Sequence, residues 1–228
     1  MKNFWYTTNR QNEGTVTDFH EFVWAKHDEN FQKILFYRDN PSLKSSNIDF
    51  DIALDYSIKQ KMKRSKIFHD EIHQTSNIIK SASGENTIIS DWRPIYKDNH
   101  TNSNSNNILA SSKLSVKGKP LNGKPDIVLE NKSIDTILII ETKLTNVPLD
   151  KLTRQAYPNN RAQLWAYGNM DLWSHYKPAN ILLAVNFWNL DNETPYSSNV
   201  WTMEDEKLNL ECTSWFQEYI DWIIRNRH

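Results

Sequence analysis

The sequence contains a single cysteine, Cys212. That excludes an internal disulfide and a four-cysteine iron–sulfur cluster within the chain, and it fits a reducing, cytoplasmic setting. No apolar run approaches the ~18 residues a membrane helix needs, so no membrane partner is expected. The first residues, MKNFWYTTNRQNEG, lack the apolar centre of a secretory signal. An excess of charge is missing too. The net charge is −1, so any binding of phosphate must come from a local patch rather than from the chain as a whole. No internal repeat appears beyond two GKP triplets at 118–120 and 123–125, which read as turn punctuation.

What is present is enough for a substantial core. The chain has 228 residues, of which 38% are hydrophobic and 24% charged, the mix of a soluble globular domain. Nine each of Trp, Tyr and Phe supply large core side chains. The reading is one domain: an N-terminal helical elaboration (1–48), a core (49–187), and a C-terminal strand and helix (188–228).

Residues 17–80 read as helical. Asp18 with Glu21 has the form of a capping box, and Phe19, Phe22, Val23, Ile34 and Leu35 follow helical spacing up to Pro41. A longer helix is expected from about Asp49 to about Lys80, with Gly84 beyond its end. Residues 86–145 read as strands: Thr87–Ile89, Lys113–Lys119, Lys124–Glu130 and Asp135–Lys143. The polar stretch 97–107 reads as a mobile loop. Beyond it, 160–173 reads as a helix, Ile181–Phe187 as a buried strand, Val200–Met203 as a short strand and 214–225 as a helix with Phe216, Tyr219, Ile220 and Ile223 at core spacing.

The segment TILIIETK stands out. Side chains alternate along a strand, so Ile137, Ile139, Glu141 and Lys143 share one face, while Leu138, Ile140 and Thr142 share the other. Both faces are apolar up to Ile140, the mark of a central strand. A carboxylate and an ammonium then close it. Upstream, Pro125-Asp126 opens the strand DIVLE, and the polar NKSID between the two strands signals a hairpin. A register that sets Asp126 opposite Glu141 pairs Glu130 with Ile137 and Asn131 with Thr136. It leaves Lys132–Asp135 as a four-residue loop, a common length. Two carboxylates ~5 Å apart on one face repel unless a cation lies between them. A hard divalent ion suits them, Mg²⁺ most naturally. Lys143 is then placed to position water or stabilise developing charge.

The [D/E]-x-K pattern alone is weak. It recurs at Glu130-Asn131-Lys132 and Asp205-Glu206-Lys207, one in the hairpin turn and one in a charged loop. Only Glu141-Thr142-Lys143 ends a buried strand with a Pro-Asp partner upstream; otherwise it would be read as a strand-end salt bridge. Downstream, Gln163 and Tyr167 are four residues apart on a helix and share its face.

Taken together, GKPD…IIETK…RAQLWAY resembles the PD-(D/E)XK nuclease superfamily, and specifically its RecB-like branch with a Gln-x-x-x-Tyr motif. The matched core covers roughly residues 112–187. The resemblance implies an α/β restriction-endonuclease-like core: a central mixed four-stranded sheet flanked by helices in the order α-β-β-β-α-β. It implies that Asp126, Glu141 and the Thr142 carbonyl bind Mg²⁺ or Mn²⁺, that Lys143 orients the attacking water, and that Gln163 and Tyr167 hold substrate or support the site. RecB-like enzymes usually add a histidine, and some relatives a glutamate, from a helix before the sheet. HDEIH offers His69, Glu71 and His73, and the sequence does not choose among them. The implied partner is nucleic acid, DNA before RNA, with any helicase a separate chain.

HDEIH also raises a zinc-protease reading, since histidines at i and i+4 can share a metal. Asp70 stands where that motif demands Glu, and no third ligand is evident. A non-catalytic nucleic-acid-binding or structural module on the same fold stays open as the alternative. Basic residues at Lys59, Lys61, Lys63, Arg64 and Lys66, and at Lys113, Lys117, Lys119 and Lys124, are candidates for phosphate contacts. Trp165, Trp173, Trp188, Trp201, Trp215 and Trp222 read as core.

Overall fold

The structure is a computed structural model that describes residues 14–28, 31–32, 91–97, 108–145, 148, 151–152, 156–189 and 195–226. The expected helix at 49–80, the Thr87–Ile89 run and the polar loop beyond Lys97 lie outside them. The described elements are, in chain order, α1 (Val16–His27), β1 (Trp92–Lys97), β2 (Leu109–Val116), β3 (Lys119–Gly123), β4 (Ile127–Asn131), β5 (Thr136–Thr145), α2 (Pro158–Gly168), α3 (Leu172–Tyr176), β6 (Asn180–Asn189), β7 (Pro195–Thr202) and α4 (Glu206–Asn226). Among them no helix is long and apolar enough to cross a membrane.

The fold is α/β, built on a mixed sheet. Its order is β1-β4-β5-β6-β7, with β5 and β6 parallel and the other neighbours antiparallel. The sheet has five strands rather than the expected four. Both edge strands lie outside the expected core of 112–187: β7, and β1, WRPIYK, in which Pro94 lacks an N–H donor and the register slips between Pro94 and Tyr96. Edge strands tolerate both features. The Lys113–Lys119 strand is in fact the end of β2 plus a turn. Lys117 and Gly118 both have positive φ, 50° and 75°, the signature of a two-residue type I′ hairpin. β2 and β3 form a separate ribbon outside the main sheet.

The β4–β5 hairpin has the expected register: Glu130 pairs with Ile137 and Asn131 with Thr136. β5 is central because both its faces are apolar. Ile137, Ile139, Leu138 and Ile140 are all buried. Burying side chains of this size stabilises the fold by roughly 1.5–3 kcal/mol each. One face, with Val128, Leu183, Val185 and Phe187, packs under α1, α2 and α4. On the other, Ile127, Leu129, Leu138, Ile140 and Ala184 cluster with Trp92 and Trp188.

Three helix boundaries differ from the sequence reading. α1 begins at Val16, capped by Thr15, whose hydroxyl accepts from Asp18 N at 3.1 Å. Asp18 is not the cap; it is buried and accepts a hydrogen bond from the Tyr219 hydroxyl. The helix expected at 160–173 is two helices. Asp171 breaks it by donating its N–H to Ala110 O at 2.8 Å and accepting from Ser112 N and Oγ, each within 3.0 Å. α4 starts eight residues before the expected Ser214, where Asp205 Oδ1 accepts from Leu208 N at 3.0 Å.

Candidate active site

Asp126 lies in a bend one residue before β4, and extending the β4–β5 register places it across from Glu141. Its Oδ2 accepts from Thr142 N at 2.7 Å, which ties the carboxylate to the neighbouring strand. Alternation puts Glu141 and Lys143 on the face that α2 covers. All of Asp126, Glu141 and Thr142 are buried, an unusual density of polar groups at a central strand end.

α2 closes the group from above. Pro158 at its first turn suits a helix start. Gln163 and Tyr167 follow on one face. Lys143 Nζ donates to Glu141 Oε1 and to Gln163 Oε1, both at 2.8 Å. Gln163 Nε2 donates to Glu141 Oε1 at 2.9 Å. Lysine, glutamine and glutamate therefore form a closed triangle. The reverse amide orientation would set the Gln163 NH₂ against the ammonium.

Gln163 Nε2 also reaches Tyr167 Oη at 3.2 Å, and Tyr167 Oη donates to Lys124 O at 2.9 Å. Burial, then the nearby Glu141 carboxylate, push the phenol's pKa well up; the bond with Gln163 opposes them, and Asp126 adds a smaller push upward. It stays protonated and remains a donor. The tyrosine thus holds the backbone two residues before Asp126. Gly123 is part of the same fitting. A Cβ there would lie 2.6 Å from Val16 Cγ2 and 2.8 Å from Tyr167 Cε1. Only glycine lets α1 and α2 close over this strand. Between them, Gln163 and Tyr167 bond Lys143, Glu141 and the Lys124 backbone. Trp165 points away, bonding Asn209 Oδ1 at 2.9 Å and packing by Phe19 and Phe216.

His20, on α1, is the group that sequence reasoning passed over. Its Nε2 lies 2.8 Å from Asn159 Nδ2 at the start of α2. Burial, and then the Lys143 charge, lower its pKa to about 3 against a smaller opposing bond from Asn160. It is a neutral imidazole beside the lysine. Nothing in HEFVWAKH separates it from a surface histidine, since more than a hundred residues part it from Lys143.

His69, Glu71, His73 and the basic run from Lys59 to Lys66 lie outside the described residues, so the HDEIH choice is not narrowed. Lys113, Lys117 and Lys119 are exposed on the β2–β3 ribbon, and Lys124 is half-buried. Among the described residues no three His, Cys, Asp or Glu side chains gather as a ligand cluster. The donors at hand are two hard carboxylates on adjoining strands. That set suits an ion such as Mg²⁺, which keeps several of its own waters. Compared with protein-family models and with curated proteins, the sequence gives no match.

Proposed function

We propose that this chain is a metal-dependent nuclease that hydrolyses phosphodiester bonds in nucleic acid, DNA before RNA. The observation that carries the reading is the buried strand-end group: Asp126 tied to the Thr142 backbone, and Glu141, Lys143 and Gln163 closed by bonds of 2.8–2.9 Å. Asp126 and Glu141 would hold Mg²⁺ or Mn²⁺, with the Thr142 carbonyl as a further oxygen. When bound, the ion supplies an electrophile for phosphate oxygens and lowers the pKa of water. Lys143 stands beside that position as a fixed positive charge. It orients water and stabilises charge developing on phosphate, with little reorganisation because Gln163 already holds it. Tyr167 and Gly123 keep the Asp126 backbone in place.

A non-catalytic nucleic-acid-binding or structural module is the second reading. One observation favours it: the 2.8 Å Lys143–Glu141 ion pair also stands as a strand-end salt bridge.

The test joins calorimetry to a cleavage assay. Wild-type protein should bind Mn²⁺ and cut linear, circular or single-stranded DNA or RNA, and a chelator should stop it. Asp126→Ala and Glu141→Ala should weaken Mn²⁺ binding and stop cleavage. Lys143→Ala should leave Mn²⁺ binding intact or slightly stronger, since a nearby positive charge is gone, and still lower cleavage by ~10²–10³-fold. Nucleic-acid binding without metal binding or cleavage would establish the second reading instead.

A further inference from the structure

The proposed site continues onto an aromatic surface at the C-terminal end of α1. α1 and α2 run antiparallel. Val16 and Tyr167 crowd Gly123 together, whereas one turn along α1 His20 meets Asn159 at the other end of α2. The next turn of α1 therefore projects past the start of α2, on the side of the C-terminal end of β5, where Lys143 lies. Trp24 occupies that turn. Its ring lies edge-on to His20, with centroids 5.8 Å apart at 75°.

Phe31 lies flat on Trp24, with centroids 3.9 Å apart and planes 5° from parallel. Asp28 locks the pair. Its Oδ2 accepts from Trp24 Nε1 and its Oδ1 from Phe31 N, each at 3.3 Å. Core rings in this protein behave differently. Phe19–Trp165, Phe19–Phe216 and Phe22–Tyr219 meet at 62°, 83° and 57°, edge-on or tilted rather than stacked. Trp24 is also 37% exposed, unlike the buried Trp165, Trp173, Trp188 and Trp215. Phe31 is itself partly buried against the core, so the open π surface is that of Trp24, backed by Phe31 and held by the Asp28 carboxylate.

We propose that Trp24 and Phe31 form a stacking platform for an unpaired nucleobase next to the phosphodiester at Asp126, Glu141 and Lys143, so that the substrate class is single-stranded nucleic acid. The assignment rests on the nuclease reading above. Trp24 is one helical turn, ~5.4 Å, beyond His20. Asn159, which His20 meets, lies one turn before Gln163, whose Oε1 accepts from Lys143. Any base has a π face, so such a platform grips a strand without reading its sequence. A closed duplex keeps those faces stacked on its own neighbours and gains nothing from it.

The experiment measures binding and cleavage separately. Binding is followed by fluorescence anisotropy in Ca²⁺, with a labelled short oligothymidylate and a labelled blunt duplex; cleavage of both is followed in Mn²⁺. Trp24→Ala should weaken single-strand binding by about 5- to 100-fold, the span of one base–aromatic stack, and leave duplex binding unchanged. Trp24→Phe should restore most of the loss. A strand carrying one abasic nucleotide, placed in turn along its length, needs no protein variant. At one position it should bind wild type more weakly by a similar factor and make no difference to Trp24→Ala. Equal single-strand binding by wild type and Trp24→Ala, a parallel loss on duplex, or an abasic penalty equal in both proteins would each overturn the platform. Failure of wild type to cleave anything overturns the nuclease reading alone, provided the Trp24-dependent single-strand binding is present. Absence of both overturns both.

Discussion

α2 carries an ion-paired cluster on each of two sides, and the two differ in which partner is buried. On one side Gln163 joins Lys143 and Glu141. Two residues back, and so across the helix, Arg161 Nη2 meets Glu211 Oε2 of α4 at 3.1 Å, with its guanidinium 5.6 Å from the Trp215 ring centroid. Both clusters pair one cation with one glutamate. In the Arg161 cluster the carboxylate is the more open partner, at 32% against 14% for the arginine. In the Lys143 cluster the order is reversed: the glutamate is 7% exposed and the lysine 25%. A link between helices buries the cation among rings and leaves the acid at the rim. At the strand end the acid is buried and the cation faces outward, where an anionic substrate could meet it. The Arg161 side also borders a pocket of about 150 Å³ lined by Trp201, Asp205, Lys207, Leu208 and Glu211. Its charges balance within it, so it presents no net attraction to phosphate.

The sharpest way to break this comparison is to remove each cation in turn. Lys143→Ala should lower cleavage by ~10²–10³-fold, the cost of removing one preorganised charge-stabilising donor. Arg161→Ala should leave cleavage within a small factor of wild type. It should instead lower stability by about 1–3 kcal/mol, between the values for exposed and buried pairs. Cleavage rates and urea midpoints for both variants decide it. If Arg161→Ala abolishes cleavage at full stability, the division between the two sides is wrong.

A smaller effect is expected at Gly123, where the two helices close over the strand leading to Asp126. Gly123→Ala puts a methyl within 2.6 Å of Val16 and 2.8 Å of Tyr167. Overpacking of this kind costs ~1–3 kcal/mol, a fall in melting temperature of roughly 2–4 °C per kcal/mol in a chain of this size. Because Tyr167 must shift to make room, its bond to Lys124 O should weaken and cleavage should drop along with stability. Gly123→Ala combined with Val16→Ala, which opens space on one side, should recover part of both losses. A double variant no better than the single one would mean that the crowding is not what matters.

The two sides also differ in how far the sequence disclosed them. The strand-end site was legible because its signals are local or periodic. An all-apolar strand fixes β5 at the centre, turn residues fix the hairpin length, and together they set the register that carries Asp126 toward Glu141. Gln163 and Tyr167 are legible from i, i+4 spacing. The Arg161–Glu211 pair joins helices fifty residues apart, and no local pattern announces it. β1 was hidden by Pro94 and its bulge, and the break between α2 and α3 by a contact from Asp171 to a distant strand. His20 was hidden for the same reason: what distinguishes it is the company of Asn159 and Lys143, which only the folded chain supplies.

A last and smallest effect turns on two histidines of α1, one on each side. His20 faces Asn159, Asn160, Trp24 and the Lys143 charge; burial and then that charge hold its pKa near 3. His27 lies 5.4 Å from the Trp215 ring. Burial, Lys26 and Arg161 lower its pKa too, but Glu218 and Glu211 push back. Both folded-state values lie below the ordinary histidine value of ~6.5. As pH falls below that value, the unfolded chain takes up protons that the folded chain refuses, so stability must fall with pH. For His20 the window runs from ~6.5 down to about 3, with a slope of at most ~1.4 kcal/mol per pH unit. His20→Gln keeps a side chain able to bond Asn159 and removes the titration, so its stability should decline less than wild type between pH 7 and 5. His27→Gln should flatten the curve in the same direction but by less, because the carboxylates around His27 partly accommodate its proton. Urea midpoints at several pH values for wild type and both variants give the two slopes. A steeper correction from His27→Gln than from His20→Gln would mean that burial and the Lys143 charge together press on His20 less than described, and that α1 packs more loosely over the strand-end site.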